Sequence, residues 1–514
     1  MWGNLFRDGA DFAYVLKSEL DALQTDRLEV PRTKVRQVEF ASLAMSARMV
    51  QSFNHLAVLS RGWQVSEQTP HSLANPECAT NCSNPVQFGA LHRVFSHVNS
   101  ERNAKLAARL IRCAVGAGFG TRNHPDYPAP LGEFFANRAK ALLDLEIDHP
   151  KVATVQSLAI LSSYEAAQTR DSRGWLFSGM SIRLALDMGL HLSAASYVEN
   201  GSMTELEAHA RKVTFWACFV TDRMWGLYLG RPFDNSFDAV TVEKPHTSLD
   251  RHPQDFWLAY APIKPGLSST SLPDHQELVT ERYINLYEIM GVLGHYLYFR
   301  ADASNIELQA LAHQTNQRLI EWKSRLPPQL EVDVDAGPNV SYLPHSLMLH
   351  MQYSLFVITL HRPFVAKHYI QPEPPVGPGH LHAREMCIRS AVEIAKFLRM
   401  FERQFSLQRS NVQMVYITFT AALILVYATL AENNHESHRN LSTHLATCSH
   451  ALAELGNIFP NANRTLDVLL KVKRSWQARL VAATIGSKRR ASSTTTGSSS
   501  KRRRAQVSVG NCEP

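Results

Sequence analysis

An all-α fold is the expectation from three observations. Apolar residues recur at helical spacing wherever a pattern is legible, no sustained period-two alternation is bounded by turn residues, and the breaks between periodic runs are rich in proline and glycine. The clearest run is 204–229, where Leu206, Ala210, Val213, Ala217, Val220, Met224 and Leu227 advance by steps of four and three and so line one helix face. Thr204 followed three residues later by Glu207 is a capping-box pair at its start, and Gly230 with Pro232 stops it.

In chain order, 105–115 reads as helix, which removes the strand that a phosphate-cradling reading of GAGFG (116–120) would require; Thr121 also occupies the fingerprint's third small position. Helices follow at 132–147, at 151–168 after Pro150, and at 174–190, with Ser172 as candidate N-cap and Gly189 as the stop. After 204–229 the pattern resumes at 276–301, at 306–325 closed by Pro327 and Pro328, and at 344–362 closed by Pro363. The last helices are expected at 383–405, 412–432, 441–457 and 463–483. The stretch 410–431 is free of charge, as a membrane span would be. Its threonines, Asn411 and Gln413 dilute that signal, and a helix apolar all round is expected at the centre of a large core. Proline-rich stretches at 70–85, 123–130, 245–273 and 371–379 read as connectors. The chain therefore divides into an N-terminal helical or irregular region (1–100), a large multi-helix body (101–485) and a tail (486–514) without apolar periodicity, expected to be disordered.

Of the net charge of +7, nearly all lies in the tail, where Lys488, Arg489, Arg490, Lys501, Arg502, Arg503 and Arg504 face one acid, Glu513. The body is close to neutral and makes no electrostatic case for gripping a phosphate backbone. Two basic clusters joined by a small-residue spacer match a bipartite nuclear-import signal, whose partner is an import carrier with acidic grooves. The 7 cysteines are odd in number and mostly solitary, as in a reducing compartment, and Arg7, Asp8 and Asp11 interrupt any secretory h-region.

Spacing argues against catalysis and metal binding. His350 and His361 share a helix face but lie about 16 Å apart along it, too far to share an ion. His380, His382 and Cys387 lack the paired spacing of zinc ligands, and Cys78 and Cys82 have no partners nearby in sequence. No nucleophile, base and orienting acid can be grouped, so no catalytic residue, cofactor or metal is expected in this chain.

The block TVQSLAILSSYEAAQTRDSRGWLFSGMSIRLALDMGLH (154–191) and the block RKVTFWACFVTDRMWGLYLGRPF (211–233) resemble the fungal-specific transcription factor domain, the middle homology region of regulators that usually begin with a zinc binuclear cluster. LHMQYSLFVITLHRPF (349–364) and NANRTLDVLLKVK (461–473) resemble its later helices, so the ordered blocks span most of the body and are most specific over 154–245. The signature residues Trp175, Gly179, Gly189, Trp216, Asp222, Arg223, Gly230, Arg231 and Pro232 read as architecture. Gly179 is expected to permit close helix approach, the tryptophans to fill the core, and Asp222, Arg223 and Arg231 to form a partly buried ion-pair network.

The resemblance implies a nuclear transcriptional regulator, within the family most like regulators of nitrogen use and of pathway-specific gene clusters, secondary-metabolite clusters included. Its partners would be co-regulators and an import carrier, with a homodimer as one compatible assembly and no membrane. The six-cysteine array that would hold zinc and read DNA does not occur in this sequence. DNA contact is therefore expected through a partner or a missing N-terminal cluster, not through this chain alone. The rival class is a small-molecule-binding or catalytic helical protein on the same fold.

Overall fold

The computed structural model describes residues 100–118, 130–231, 239–245, 256–257, 272–273, 275–298, 305–337, 340–365, 379–432 and 434–496. Among them are thirteen α-helices and one antiparallel pair of two-residue strands, β1 (Phe256–Trp257) and β2 (Leu272–Pro273), inside the long proline-rich connector. The all-α expectation is met.

The first half contains α1 (Ser100–Ala117), α2 (Leu131–Glu146), α3 (Val152–Ala167), α4 (Asp171–Asp187), the short α5 (Ala195–Glu199) and α6 (Glu205–Leu229). The second half contains α7 (Gln276–Tyr298), α8 (Asn305–Ser324), α9 (Pro344–His361), α10 (His380–Gln404), α11 (Gln413–Ala431), α12 (His435–Gly456) and α13 (Pro460–Thr496). One contiguous core joins the halves. Tyr228 of α6 meets Tyr416 of α11 edge-on at 4.5 Å, Tyr287 of α7 meets Phe356 of α9 at 5.1 Å, and Asn461 of α13 donates to the Ala166 carbonyl of α3 at 3.3 Å.

Caps explain several boundaries. Thr204 Oγ1 accepts from the Glu207 amide at 3.2 Å while Glu207 Oε2 accepts from the Thr204 amide at 3.0 Å, the reciprocal box its spacing predicts. At the end of α4, Gly189 takes φ +64°, the Leu190 amide reaches the Ala185 carbonyl and the Gly189 amide reaches that of Leu186, a Schellman closure. Gly230 ends α6 at φ +61°. Where the sequence reading misplaces an end, polar first turns are the cause: α12 begins at His435, not 441, because Asn434 Oδ1 caps the Glu436 and Ser437 amides ahead of any apolar period.

α11 is the charge-free helix. It is long and apolar enough to cross a membrane, yet 72% of its most apolar stretch is buried inside the protein, against α9, α10, α12 and α13. A wholly buried helix needs no polar face.

The structure carries α13 on through Lys488, Arg489 and Arg490 to Thr496, the first residues of the basic tail. Periodicity reports burial, and a docked helix can run on past its buried turns without any apolar stripe. Lys501, Arg502, Arg503 and Arg504 lie outside the described residues, as do Pro232 and nearly all of the N-terminal region 1–100, including Cys78 and Cys82.

Candidate functional site

The signature residues converge where α3, α4 and α6 pack. α3 is buried on nearly every residue, so its polar side chains must find internal partners. Ser162 accepts the indole N–H of the fully buried Trp225 at 2.7 Å. Gly174 of α4 fits beneath that ring: a Cβ there would lie 2.6 Å from Trp225 Cζ2 and 2.7 Å from the Ser162 carbonyl oxygen. Gly174 is thus the close-approach glycine. Gly179, to which the sequence reading gave that role, faces only the flexible end of Arg183 at 3.0 Å; both glycines lie on one helix, and the sequence pattern does not show which one meets a neighbour.

The other signature side chains frame this junction. Trp216, buried on α6, donates to the Glu243 carbonyl at 2.8 Å and stacks edge-on with Phe215 and Phe219 at 5.3 and 5.1 Å. Lys244 passes 6.0 Å from the Trp216 ring and binds Asn285 at 2.7 Å and Glu288 at 2.5 Å on α7. Asp222 and Arg223 are both buried. The guanidinium of Arg223 lies 3.7 Å over Phe219 and that of Arg231 lies 4.6 Å over Trp175, so both arginines also rest on aromatic faces. Arg211 closes the end of α4, donating to the Met188 carbonyl at 2.8 Å, where the helix dipole favours a cation.

A buried ionic cluster centres on Glu165, which sequence reasoning missed. Its carboxylate is fully buried on α3 and meets Lys140 of α2 at 2.6 Å, Arg170 in a short hydrogen bond, and Arg173 of α4 at 4.0 Å. Arg170 also holds Glu133 of α2 at 3.0 Å, and Tyr164 donates to that carboxylate at 3.4 Å. Burial alone would depress the Arg170 guanidinium, but hydrogen bonding and charge from Glu165, then Glu133, outweigh it and raise its pKa. Burial first, and the Glu133 charge second, push the Tyr164 phenol up. The turn carrying Arg170 is strained: Thr169, β-branched, sits at φ +62° to close α3, with its amide on Ala166 and the Arg170 amide on the Glu165 carbonyl. The only local signal for this cluster was a lone charge, the glutamate, in a helix with no other ionisable side chain but Tyr164.

Beside the cluster, α2, α3 and α4 enclose a cleft of about 210 Å³, lined by Lys140, Leu143, Asp144 and Ile147, by Thr154 and Leu158, and by Arg173 and Phe177. It joins an apolar floor to opposite charges, an arrangement suited to binding.

The remaining polar groups are internal. Tyr283 donates to Gln413 Oε1 at 2.6 Å, and Gln413 donates to Tyr287 at 3.1 Å and, in a short bond, to Gln352, tying α7, α9 and α11 together. His350 and His361 are buried on α9. Lys323 can only donate to His350 Nδ1, at 2.5 Å, so Nε2 carries the proton and donates to the Leu330 carbonyl at 2.8 Å. The His382 ring stands 5.8 Å from that of His361, and the buried Cys387 donates weakly to the Ile358 carbonyl at 3.9 Å. Among the described residues no three His, Cys, Asp or Glu side chains are grouped as a metal set.

The fungal specific transcription factor domain family matches residues 86–326. The nitrogen assimilation transcription factor nirA of Emericella nidulans is 32% identical over 380 residues, covering 72% of this chain and 40% of that protein. The nitrogen assimilation transcription factor nit-4 of Neurospora crassa is 30% identical over 386 residues, covering 74% and 33%. The TY1 enhancer activator of Saccharomyces cerevisiae is 25% identical over 340 residues, covering 60% and 42%. The chain thus spans less than half the length of these relatives. No solved structure matches it.

Proposed function

Because the chain carries a fungal specific transcription factor domain over residues 86–326, we propose that it is a nuclear transcriptional regulator of metabolic genes, a secondary-metabolite cluster being one such set. The observation that carries the reading is the similarity to two nitrogen assimilation transcription factors over more than 70% of the chain. The helical body, 101–485, is the regulatory part, and contact with DNA is made through a partner or through a zinc cluster encoded outside this sequence. Zinc, on this reading, enters only with that cluster. The signature residues serve as architecture: they fix α4 and α6 on α3 and so set the surface offered to co-regulators or to a second copy of the chain. The rival reading as an enzyme is not favoured, since the similar proteins are named as regulators.

The basic clusters 488–490 and 501–504 give the reading its import route. A fluorescent fusion of the full chain is expected to accumulate in nuclei. Replacing Lys501, Arg502, Arg503 and Arg504 by alanine should redistribute it to the cytoplasm, and replacing Lys488, Arg489 and Arg490 should do so in part. Transcript profiling of a deletion strain, with chromatin immunoprecipitation of the tagged protein, tests regulation itself. Absence from nuclei together with an unchanged transcript profile would overturn the proposal.

A further inference from the structure

The cleft beside Glu165 holds charges that the ionic cluster does not absorb. Lys140 and Asp144 stand one turn apart on α2, the spacing at which an ammonium and a carboxylate pair across a helix surface. Lys140 turns instead to Glu165 at 2.6 Å, and its weaker contact is with Asn137 at 3.4 Å. Asp144 is exposed and makes no hydrogen bond or ion pair among the described residues. On α4, the Arg173 side chain is 55% exposed and meets Glu165 only at 4.0 Å, the outer limit of an ion pair. A guanidinium with spare donors and an unpartnered carboxylate thus line one cavity together with Leu143, Leu158 and Phe177.

We propose that this cleft binds a free α-amino acid with an apolar side chain. Its carboxylate pairs with Arg173, its ammonium with Asp144, and its side chain lies on Leu143, Leu158 and Phe177. A simple anion would be repelled by Asp144 and a simple cation by Arg173, whereas a zwitterion satisfies both. The volume of about 210 Å³ falls below the roughly 300–1,000 Å³ of sites for drug-sized ligands, so the occupant is small. Bound there, it would tie α2 to α4 across the cleft, beside the ion pairs those helices already share through Glu165. The inference does not rest on the regulatory reading, since binding is measured on the protein itself.

The test is calorimetric titration of the purified full chain with L-leucine, alongside 4-methylpentanoate, which lacks the ammonium, isopentylamine, which lacks the carboxylate, and glycine, which lacks the side chain. Leucine should bind saturably, and each of the other three should bind at least about tenfold more weakly. Arg173→Gln and Asp144→Asn, both at exposed positions, should each weaken leucine roughly ten- to a hundredfold, the loss of one charge-assisted hydrogen bond, while keeping the wild-type circular dichroism spectrum and melting temperature. The proposal is overturned if leucine shows no saturable binding up to roughly 10 mM, if 4-methylpentanoate or isopentylamine binds as well as leucine, or if either folded variant keeps wild-type affinity.

Discussion

Adding one methyl group at Gly174 is expected to destabilise the protein by about 2 kcal/mol, whereas the same change five residues along the helix, at Gly179, is not. The Gly174→Ala Cβ would sit 2.6 Å from Trp225 Cζ2 and 2.7 Å from the Ser162 carbonyl. Carbon atoms in contact rest about 3.5–4.0 Å apart, so the overlap approaches an ångström. Neither neighbour yields cheaply. The Ser162 carbonyl belongs to the backbone of a buried helix, and the Trp225 ring is fully buried and pinned through its N–H to Ser162 Oγ at 2.7 Å. Forced repacking of this kind costs about 1–3 kcal/mol, and stretching the buried indole hydrogen bond about 1 more. Alanine's helical preference over glycine returns up to about 1 kcal/mol, less in a first turn. At Gly179 the neighbour is the far end of a flexible arginine, so Gly179→Ala is expected to be neutral or stabilising by up to about 1 kcal/mol. Equilibrium urea unfolding followed by tryptophan fluorescence reads both, with the midpoint moving and the slope unchanged. Equal shifts for the two variants, or a loss below about 0.5 kcal/mol for Gly174→Ala, would refute the packing argument.

Three further outcomes follow from the same junction and from α9. Thr169→Gly removes a β-branched side chain from φ +62° and should stabilise by about 1 kcal/mol in the same assay; a destabilised variant would show that the threonine is not strained. Glu165→Ala leaves Lys140 and Arg170 beside a vacated buried site and should cost about 3–5 kcal/mol, with most of that loss absent when Lys140→Met is already present, as a double-mutant cycle would read. Burial first, joined at His350 by the Lys323 charge, holds the pKa of His350 and His361 down to about 4. The unfolded histidines titrate near 6.5, so the stability of keeping them neutral is complete above about pH 6.5 and falls as the pH drops toward 4, by about 3 kcal/mol for each histidine. Chemical unfolding at a series of pH values should show that slope, and His350→Gln should remove roughly half of it; an unchanged slope would deny His350 its part.

What the sequence reveals at this junction depends on whether a residue's role is local. The stops at Gly189 and Gly230 and the box at Thr204 are legible because a cap is made by neighbours along the chain, and the structure shows the same residues in those conformations. The partner of a buried charge is not local. Glu165 pairs with Lys140, 25 positions earlier, and with Arg170 just beyond a turn whose positive φ falls on a threonine, a residue type that gives no warning of it. The aromatic seats of Arg223 and Arg231 are likewise not local signals, since one lies a turn back on the same helix and the other across the junction on α4. Along 486–496 α13 runs on without an apolar stripe, because periodicity detects only the face that a helix buries, and its earlier turns are docked on α11 and α12. Local chemistry thus marks where each helix ends, while three-dimensional pairing decides which of its charges remain available. That second property separates Asp144 from Lys140 on a single helical turn and leaves the cleft between α2 and α4 with opposite charges to be matched by a ligand.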